Sequence, residues 1–150
     1  MRRRRLRRTD DGTAIVEFVW LAVLLLMPLL YLMLAAFDTQ RAAYAASAAA
    51  RSATRAFVAA PDQATGYRQA QVAADLAFAD QGLAGDGFRL TITCAPDPAA
   101  CLVPGSVVIA QIRTGARLPL LPSAFGGSAP TITISAEHRS PYGTFREARE

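Results

Sequence analysis

The chain has 150 residues, enough for one small domain with an anchor but too few for two independent cores. Its formal net charge of +4 arises before residue 12, where six arginines and two acidic residues lie, whereas ten arginines balance ten acidic residues in the remainder. Nucleic-acid-binding domains spread basic residues over a folded face, so this distribution argues against nucleic-acid binding and indicates a basic leader over residues 1–12.

The next segment is apolar. Residues 18–37, FVWLAVLLLMPLLYLMLAAF, contain no charged side chain. A helix of this length spans about 30 Å, the thickness of the hydrocarbon core of a bilayer. The segment is also longer than the apolar region of about 7–15 residues in a cleavable signal peptide. We therefore predict a transmembrane helix over residues 13–37, with the N-terminus held in the cytoplasm by the arginines and the following domain outside the cell membrane.

A carboxylate interrupts the start of this helix in Gly12-Thr13-Ala14-Ile15-Val16-Glu17-Phe18. An ionised glutamate inside the bilayer costs about 3 kcal/mol unless it is paired. A cationic group one helical turn before Glu17, on the same chain or on a neighbouring subunit, could pair with the carboxylate. The alternative is that the span begins at Phe18 and that Glu17 lies among the lipid headgroups.

Helical pattern continues beyond the apolar segment, over residues 38–60. Small residues recur there at steps of three and four, and they define what we call the alanine face: Ala42, Ala46, Ala49, Ala53, Phe57 and Ala60. We predict that this face packs against the domain's own sheet; the alternative is packing against other helices of an assembly. Pro61 should end the helix, because a residue before proline is pushed out of helical geometry.

A second helix is predicted from about residue 66 to residue 81, with Gly82 as its stop. It carries two apolar stripes, both expected in the core. The first is Tyr67, Ala70, Ala74 and Phe78, and the second is Val72, Leu76 and Leu83.

Apolar residues alternate with polar ones after Gly87, which predicts strands over residues 88–94, 106–113 and 131–139. The second strand is the most apolar and is expected to be the most central, and Ile132, Ile134 and Ala136 of the third should face inward. Short connections favour antiparallel pairing. The fold class predicted is α+β: a long transmembrane helix continues into an exported domain (61–140) with a second helix and a small antiparallel sheet of about three strands. A covering loop (117–130) and a flexible tail (141–150) complete it; the alternative for the loop is an apolar lip that contacts a partner or the membrane.

Cys94 and Cys101 both fall in the part predicted to be exported, where oxidation is possible. Their spacing closes a small loop, and we predict a disulfide that stabilises the domain by about 2–3 kcal/mol. A zinc site is disfavoured, because no second cysteine pair exists and the single histidine, His138, is distant in sequence.

Taken together, these residues resemble the TadE-like proteins, pseudopilin or minor-pilin components of the Tad (Flp) pilus assembly system. The resemblance rests on the basic leader with Gly12 and on the segments listed here: Ile15–Phe18, Gln40–Tyr44, Ala48–Arg51, the cysteine pair and Leu118–Leu120. It implies a pilin-like exported domain, cleavage between Gly12 and Thr13 by a prepilin peptidase, and assembly through Glu17 and Phe18. The implied partners are membrane lipid and other pilin-like or Tad assembly proteins.

Catalytic motifs are missing from the sequence, which has one histidine, no glycine-rich phosphate loop and no recognisable nucleophile motif. We therefore expect a non-enzymatic assembly protein without a cofactor. Two alternatives stay open: a signal-anchored exported binding or structural protein, and an outward-facing enzyme. A secreted form released after Ala43-Tyr44-Ala45, which fits a small-x-small site, is a third.

Overall fold

The computed structural model describes residues 13–117 and 131–149, with side chains from 14 to 116 and from 131 to 149. The leader with Gly12 and the connection over residues 118–130, which includes Leu118–Leu120, lie outside the described residues. The elements in chain order are α1 (Thr13–Ala59), α2 (Gln63–Asp80), β1 (Phe88–Ala95), β2 (Val107–Arg117) and β3 (Thr131–Pro141). They form a long apolar N-terminal helix, a second helix and an antiparallel three-stranded sheet, so the predicted α+β class is confirmed.

Helix α1 is unbroken over 47 residues and passes through Pro28. Its first half is apolar and exposed, and its second half forms part of the core of the domain. Among the described residues, α1 is the one helix that is long and apolar enough to cross a membrane, judged by length and composition. The chain therefore joins an apolar rod to a folded domain without an intervening linker.

The alanine face is buried inside the domain, as one of the two sequence interpretations predicts. Ala46, Ala49 and Ala53 are fully buried, and this half of α1 contacts α2, β2 and β3. Small side chains let these elements approach the backbone of α1 closely. On α2, Gly66 faces α1 closely: an added Cβ would lie 3.0 Å from the ring of Phe57. The same helix thus supplies the inner wall for both the second helix and the sheet.

Helix α2 begins at Gln63, three residues before the predicted start at residue 66. Asp62 is its N-cap: one carboxylate oxygen accepts a hydrogen bond of 2.8 Å from the backbone N–H of Thr65. This capping satisfies one of the N–H groups that the first turn leaves without a helical partner. The predicted stop is confirmed, because Gly82 has a φ of 70°, a left-handed conformation that glycine adopts without strain.

The two apolar stripes of α2 have different environments. Ala70, Ala74 and Phe78 are buried against α1, as predicted, although Tyr67 of the same stripe is largely exposed. The prediction for the second stripe is wrong for Val72, which is 67% exposed, and for Leu76, which is 62% exposed, whereas Leu83 packs against the core as predicted. The physical reason is that a single helix packed on α1 buries one side only, and Val72 and Leu76 lie on the opposite side.

The sheet has the order β1-β2-β3, so the most apolar strand is central, as predicted. One face of β2, formed by Val108, Ala110 and Ile112, is fully buried. Ile134 and Ala136 pack against this core, as predicted. Ile132 lies on the same face of the sheet, opposite the buried Ala116, but it is 44% exposed and does not belong to the core. It lies near the end of β2 and β3 where the connection over residues 118–130 joins the two strands.

The C-terminal segment, predicted to be a flexible tail, is docked on the domain over residues 142–149. Tyr142 is buried, and its backbone N–H donates to the carbonyl oxygen of Ser106 at 2.9 Å. The hydroxyl group of Tyr142 donates to the carbonyl oxygen of Glu147 at 2.6 Å. Burial of a large aromatic side chain, together with hydrogen bonds that satisfy its backbone and hydroxyl, offsets the entropy lost when the segment is ordered.

Candidate assembly and membrane-contact surfaces

The first candidate surface is the apolar half of α1. Large side chains such as Phe18, Trp20 and Leu25 are each about 70% exposed, and the pattern continues to Phe37. A soluble monomer rarely leaves so extended an apolar surface in contact with water, so this half requires lipid or protein around it. The surface ends where the domain begins, because Ala35 is already buried and Tyr31 is half-buried.

The predicted cleavage and assembly residues lie at the start of this surface. Thr13 is the first residue of α1, Gly12 precedes the described residues, and Glu17 and Phe18 are exposed. Positions 13 and 17 are both helical, so the amino group of residue 13 and the carboxylate of residue 17 lie one turn apart on the same side of the helix.

The predicted cysteine pair is close in space. The sulfur atoms of Cys94 and Cys101 are 1.98 Å apart, and the Cα atoms are 5.2 Å apart, so the two residues form a disulfide. The bond ties the end of β1 to the connection before β2. Leu102, next to it, is fully buried in the core, and the backbone carbonyl oxygen of Cys101 accepts a hydrogen bond from the hydroxyl group of Ser106.

We call the end of the domain farthest from the apolar segment the far end; it contains residues 58–63, 97–106 and 142–149. Gln63 donates a side-chain hydrogen bond of 3.0 Å to the carbonyl oxygen of Ala99 in the disulfide loop. The backbone N–H of Arg149 donates to the carbonyl oxygen of Leu102 at 2.9 Å. These hydrogen bonds join the disulfide loop to the tail and to the turn between the helices. The far end therefore has a structural role.

We call the opposite end, where α1 enters the domain, the entry end; it contains residues 38–42, 81–89, 113–117 and 131–133. The guanidinium of Arg41 donates to the carbonyl oxygen of Gln81 at 2.8 Å, which fixes the end of α2 to α1. Asp38, Ala42, Asp86 and residues 114–116 line a groove between α1 and the sheet. The entry end is thus built directly around the residues that follow the apolar segment.

The outer face of the sheet, turned away from α1, carries a second cluster at the entry end. The register places Arg89 of β1 directly opposite Arg113 of β2, and both side chains are exposed. They border a shallow cleft that also includes Gly115 and Thr133. Like charges in directly opposed positions of a sheet repel each other. Sequence patterns could not find this pair, because it depends on the strand register.

Polar residues elsewhere make ordinary local contacts. Asp75 accepts hydrogen bonds from the side chain of Gln71 within α2, and His138 lies on β3 opposite Ala110. Across residues 13–117 and 131–149, no group of three His, Cys, Asp or Glu side chains is close enough to hold a metal ion. Two hydrogen bonds from Thr65, one from the backbone and one from the hydroxyl group, lower the pKa of the Asp62 carboxyl group below its ordinary value.

Comparison of the chain with protein-family models, with curated proteins and with solved structures found no match. The likeness to TadE-like proteins therefore rests on the sequence segments named above alone. The candidate contact surfaces described above are the apolar half of α1, the entry end and the exposed side of α2.

Proposed function

We propose that this chain is a non-enzymatic, membrane-anchored pseudopilin or minor pilin of the TadE-like type, acting in Tad (Flp) pilus assembly or a related secretion process. The observation that carries the proposal is the construction of α1, whose exposed apolar half runs without a break into the buried core of the domain. A signal peptide that is removed would not supply the central helix of the domain it exports. A permanent membrane anchor that also packs into the domain would supply this helix.

The proposed topology follows from the arginines before the apolar segment and the disulfide in the domain after it. Arginines precede the segment, and the domain that follows Phe37 contains the disulfide between Cys94 and Cys101. Positive residues are retained in the cytoplasm, and disulfides persist in oxidising compartments. Both observations favour a single-pass protein of the cell membrane with its C-terminal domain outside the cytoplasm.

The proposed assembly residue is Glu17, with Phe18 beside it. Both side chains are exposed near the start of α1, where a neighbouring helix can reach them. A carboxylate at this depth in lipid is stabilised by a positively charged partner, and the Thr13 amine exposed by cleavage is one turn away. A second subunit would offer the same amine, so Glu17 could set the register between neighbouring helices.

The first experiment is intact-mass analysis of the protein extracted from membranes. The proposal expects a mature chain that begins at Thr13, because the peptidase of this pathway cuts after the glycine. A chain that begins at Met1 would indicate a plain signal-anchored protein. A chain that begins at Ala46 would contradict both, because the apolar half of α1 would have been removed.

The second experiment replaces Glu17 with alanine and measures pilus assembly together with membrane insertion. Asp38→Ala is the matched control, because it removes a carboxylate from the other end of the apolar segment. We expect E17A to lose assembly while it remains in the membrane after carbonate extraction, and D38A to assemble normally. Normal assembly of E17A would contradict the proposed role of the carboxylate.

A further inference from the structure

The entry end of the domain lies only a short distance along α1 from the end of the proposed membrane span. Ala42 lines the groove at the entry end and lies five residues after Phe37, the last residue of the uncharged segment. At the rise of an α-helix, this separation is about 7.5 Å along the axis. The polar interface on each side of a bilayer is about 5–8 Å thick. The entry end is therefore at the level of the lipid headgroups when α1 spans the membrane.

Arg89 and Arg113 lie at this same end. The cleft that they border shares Thr114 and Gly115 with the groove that contains Asp38 and Ala42, so the arginines are next to the headgroup level. Arginine side chains are long enough to reach several ångströms beyond the backbone, and their guanidinium groups bind phosphate oxygens with two parallel hydrogen bonds.

We infer that Arg89 and Arg113 together bind the phosphate group of an anionic phospholipid at the surface of the membrane. The inference rests on the proposed span of α1. It does not depend on pilus assembly or on cleavage after Gly12. Directly opposed positions bring the Cβ atoms of Arg89 and Arg113 to within about 5 Å, so both long side chains can reach one phosphate group. An anion bound by both guanidinium groups replaces the repulsion between like charges with two attractive contacts.

The acidic residues near the pair do not neutralise it. Asp38 is 4.0 Å from Arg41, and Glu137 is ion-paired with Arg139 at 2.8 Å. Asp86 lines the groove between α1 and the sheet and does not line the cleft beside the two arginines. Within the described part of the chain, neither Arg89 nor Arg113 has an ion-pair partner, and the cleft beside them contains no acidic side chain.

Ile132 supports a lipid contact at the same end. It pairs with Ala116 near the end of β2 and β3 where the connection over residues 118–130 joins them, and it is 44% exposed. An apolar side chain at headgroup level can enter the boundary with the acyl chains, whereas the same side chain in water would contribute nothing. The entry end thus combines two arginines for phosphate with an exposed apolar residue for the upper hydrocarbon region.

The test is hydrogen exchange of the full-length protein in lipid nanodiscs, read on peptides that cover Gly87–Ile92 and Gln111–Ala116. Discs of phosphatidylcholine alone are compared with discs that contain phosphatidylglycerol. We expect exchange in these peptides to slow by about fivefold in the anionic discs. The variant R89Q/R113Q should lose the difference. The matched control R51Q/R55Q, which removes two exposed arginines closer to the far end of α1, should keep it.

Equal exchange of the wild-type peptides in the two kinds of disc would overturn the inference. So would equal loss of protection in R51Q/R55Q, which would indicate a general effect of charge. A third arm adds inorganic phosphate to phosphatidylcholine discs, and full protection there would identify a free anion instead of lipid as the ligand. Failure of the wild-type protein to enter the discs would overturn the span itself, whereas loss of pilus assembly would leave this result unaffected.

Discussion

Arg149 donates a hydrogen bond of 2.9 Å from its guanidinium to the carbonyl oxygen of Ala60, a residue 89 positions earlier in the chain. Arg146 makes the same kind of contact with the carbonyl oxygen of Val58, also at 2.9 Å. The last carbonyl groups of a helix have no helical partner, and cations there also interact favourably with the helix dipole. The last turn of α1 contains no basic residue, so the tail provides its cap.

This capping predicts that R146A/R149A destabilises the domain by about 2 kcal/mol, the loss of two charge-assisted hydrogen bonds. The measurement is chemical denaturation of the full-length protein in detergent. Glu147→Ala is the matched control, because the backbone carbonyl of Glu147 accepts a hydrogen bond while its side chain is exposed. An equal loss of stability in E147A would show that disturbance of the tail, and not loss of the cap, is responsible.

The disulfide predicts a second effect on stability. The double variant C94S/C101S should unfold with a free energy about 2–3 kcal/mol lower than that of the wild type, because the open loop gains freedom in the unfolded chain. Thermal melting with and without a reducing agent measures it. Reductant should lower the melting temperature of the wild type and leave the double variant unchanged. Alkylation of both cysteines without prior reduction would contradict the bond.

Asp62 predicts a dependence of stability on acidity. Hydrogen bonds from Thr65 lower the pKa of the carboxyl group in the folded protein below its ordinary value of 3.8. A lowered folded pKa contributes stability that is present above the unfolded pKa and is lost as the pH falls through the folded pKa. Asp62→Asn keeps a capping side chain but cannot titrate, so its stability should fall less between about pH 6 and pH 2. Asp75→Asn on the same helix is the control.

Gly66 predicts a steric effect at the crossing of α1 and α2. Gly66→Ala should destabilise the protein by about 1 kcal/mol, because overpacking costs about 1–3 kcal/mol and exceeds the gain of about 1 kcal/mol in helix propensity. The added methyl group would meet the ring of Phe57 at 3.0 Å. In the background of Phe57→Leu, the same substitution should cost less. A double-mutant cycle measured by denaturation checks this, and strict additivity would exclude the contact.

The main elements could be predicted because their signals are local. Uninterrupted apolar residues give the first half of α1, and alternation gives β1 and β3. The start of α2 was placed at residue 66, although the capping signal at Asp62, directly after Pro61, was present in the sequence. The end of that helix at Gly82 was predictable because a glycine stop acts within one turn.

Features that depend on distant parts of the chain could not be predicted. The apolar stripe with Val72 and Leu76 was assigned to the core, because periodicity identifies a stripe but not the number of elements available to cover it. The docked tail depends on carbonyl groups at the end of α1, and the pairing of Arg89 with Arg113 depends on the register of two strands. The tail contains two large aromatic residues, of which Tyr142 is buried and Phe145 is exposed, so composition alone does not indicate that the segment docks.

Because α1 continues without a break from its apolar half into the core, any rotation of the apolar half about the helix axis also rotates the domain. Successive residues of an α-helix are separated by about 100° around the axis. The side of α1 that contacts a neighbouring helix therefore determines how the domain is oriented around the helix axis. Val72 and Leu76 point outward at a fixed azimuth relative to Glu17. Contact between the apolar halves of two α1 helices inside the bilayer would therefore fix the direction in which the exposed side of α2 faces. Insertion of one residue near Asp38 would rotate the domain by about 100° around the helix axis and turn that side in another direction.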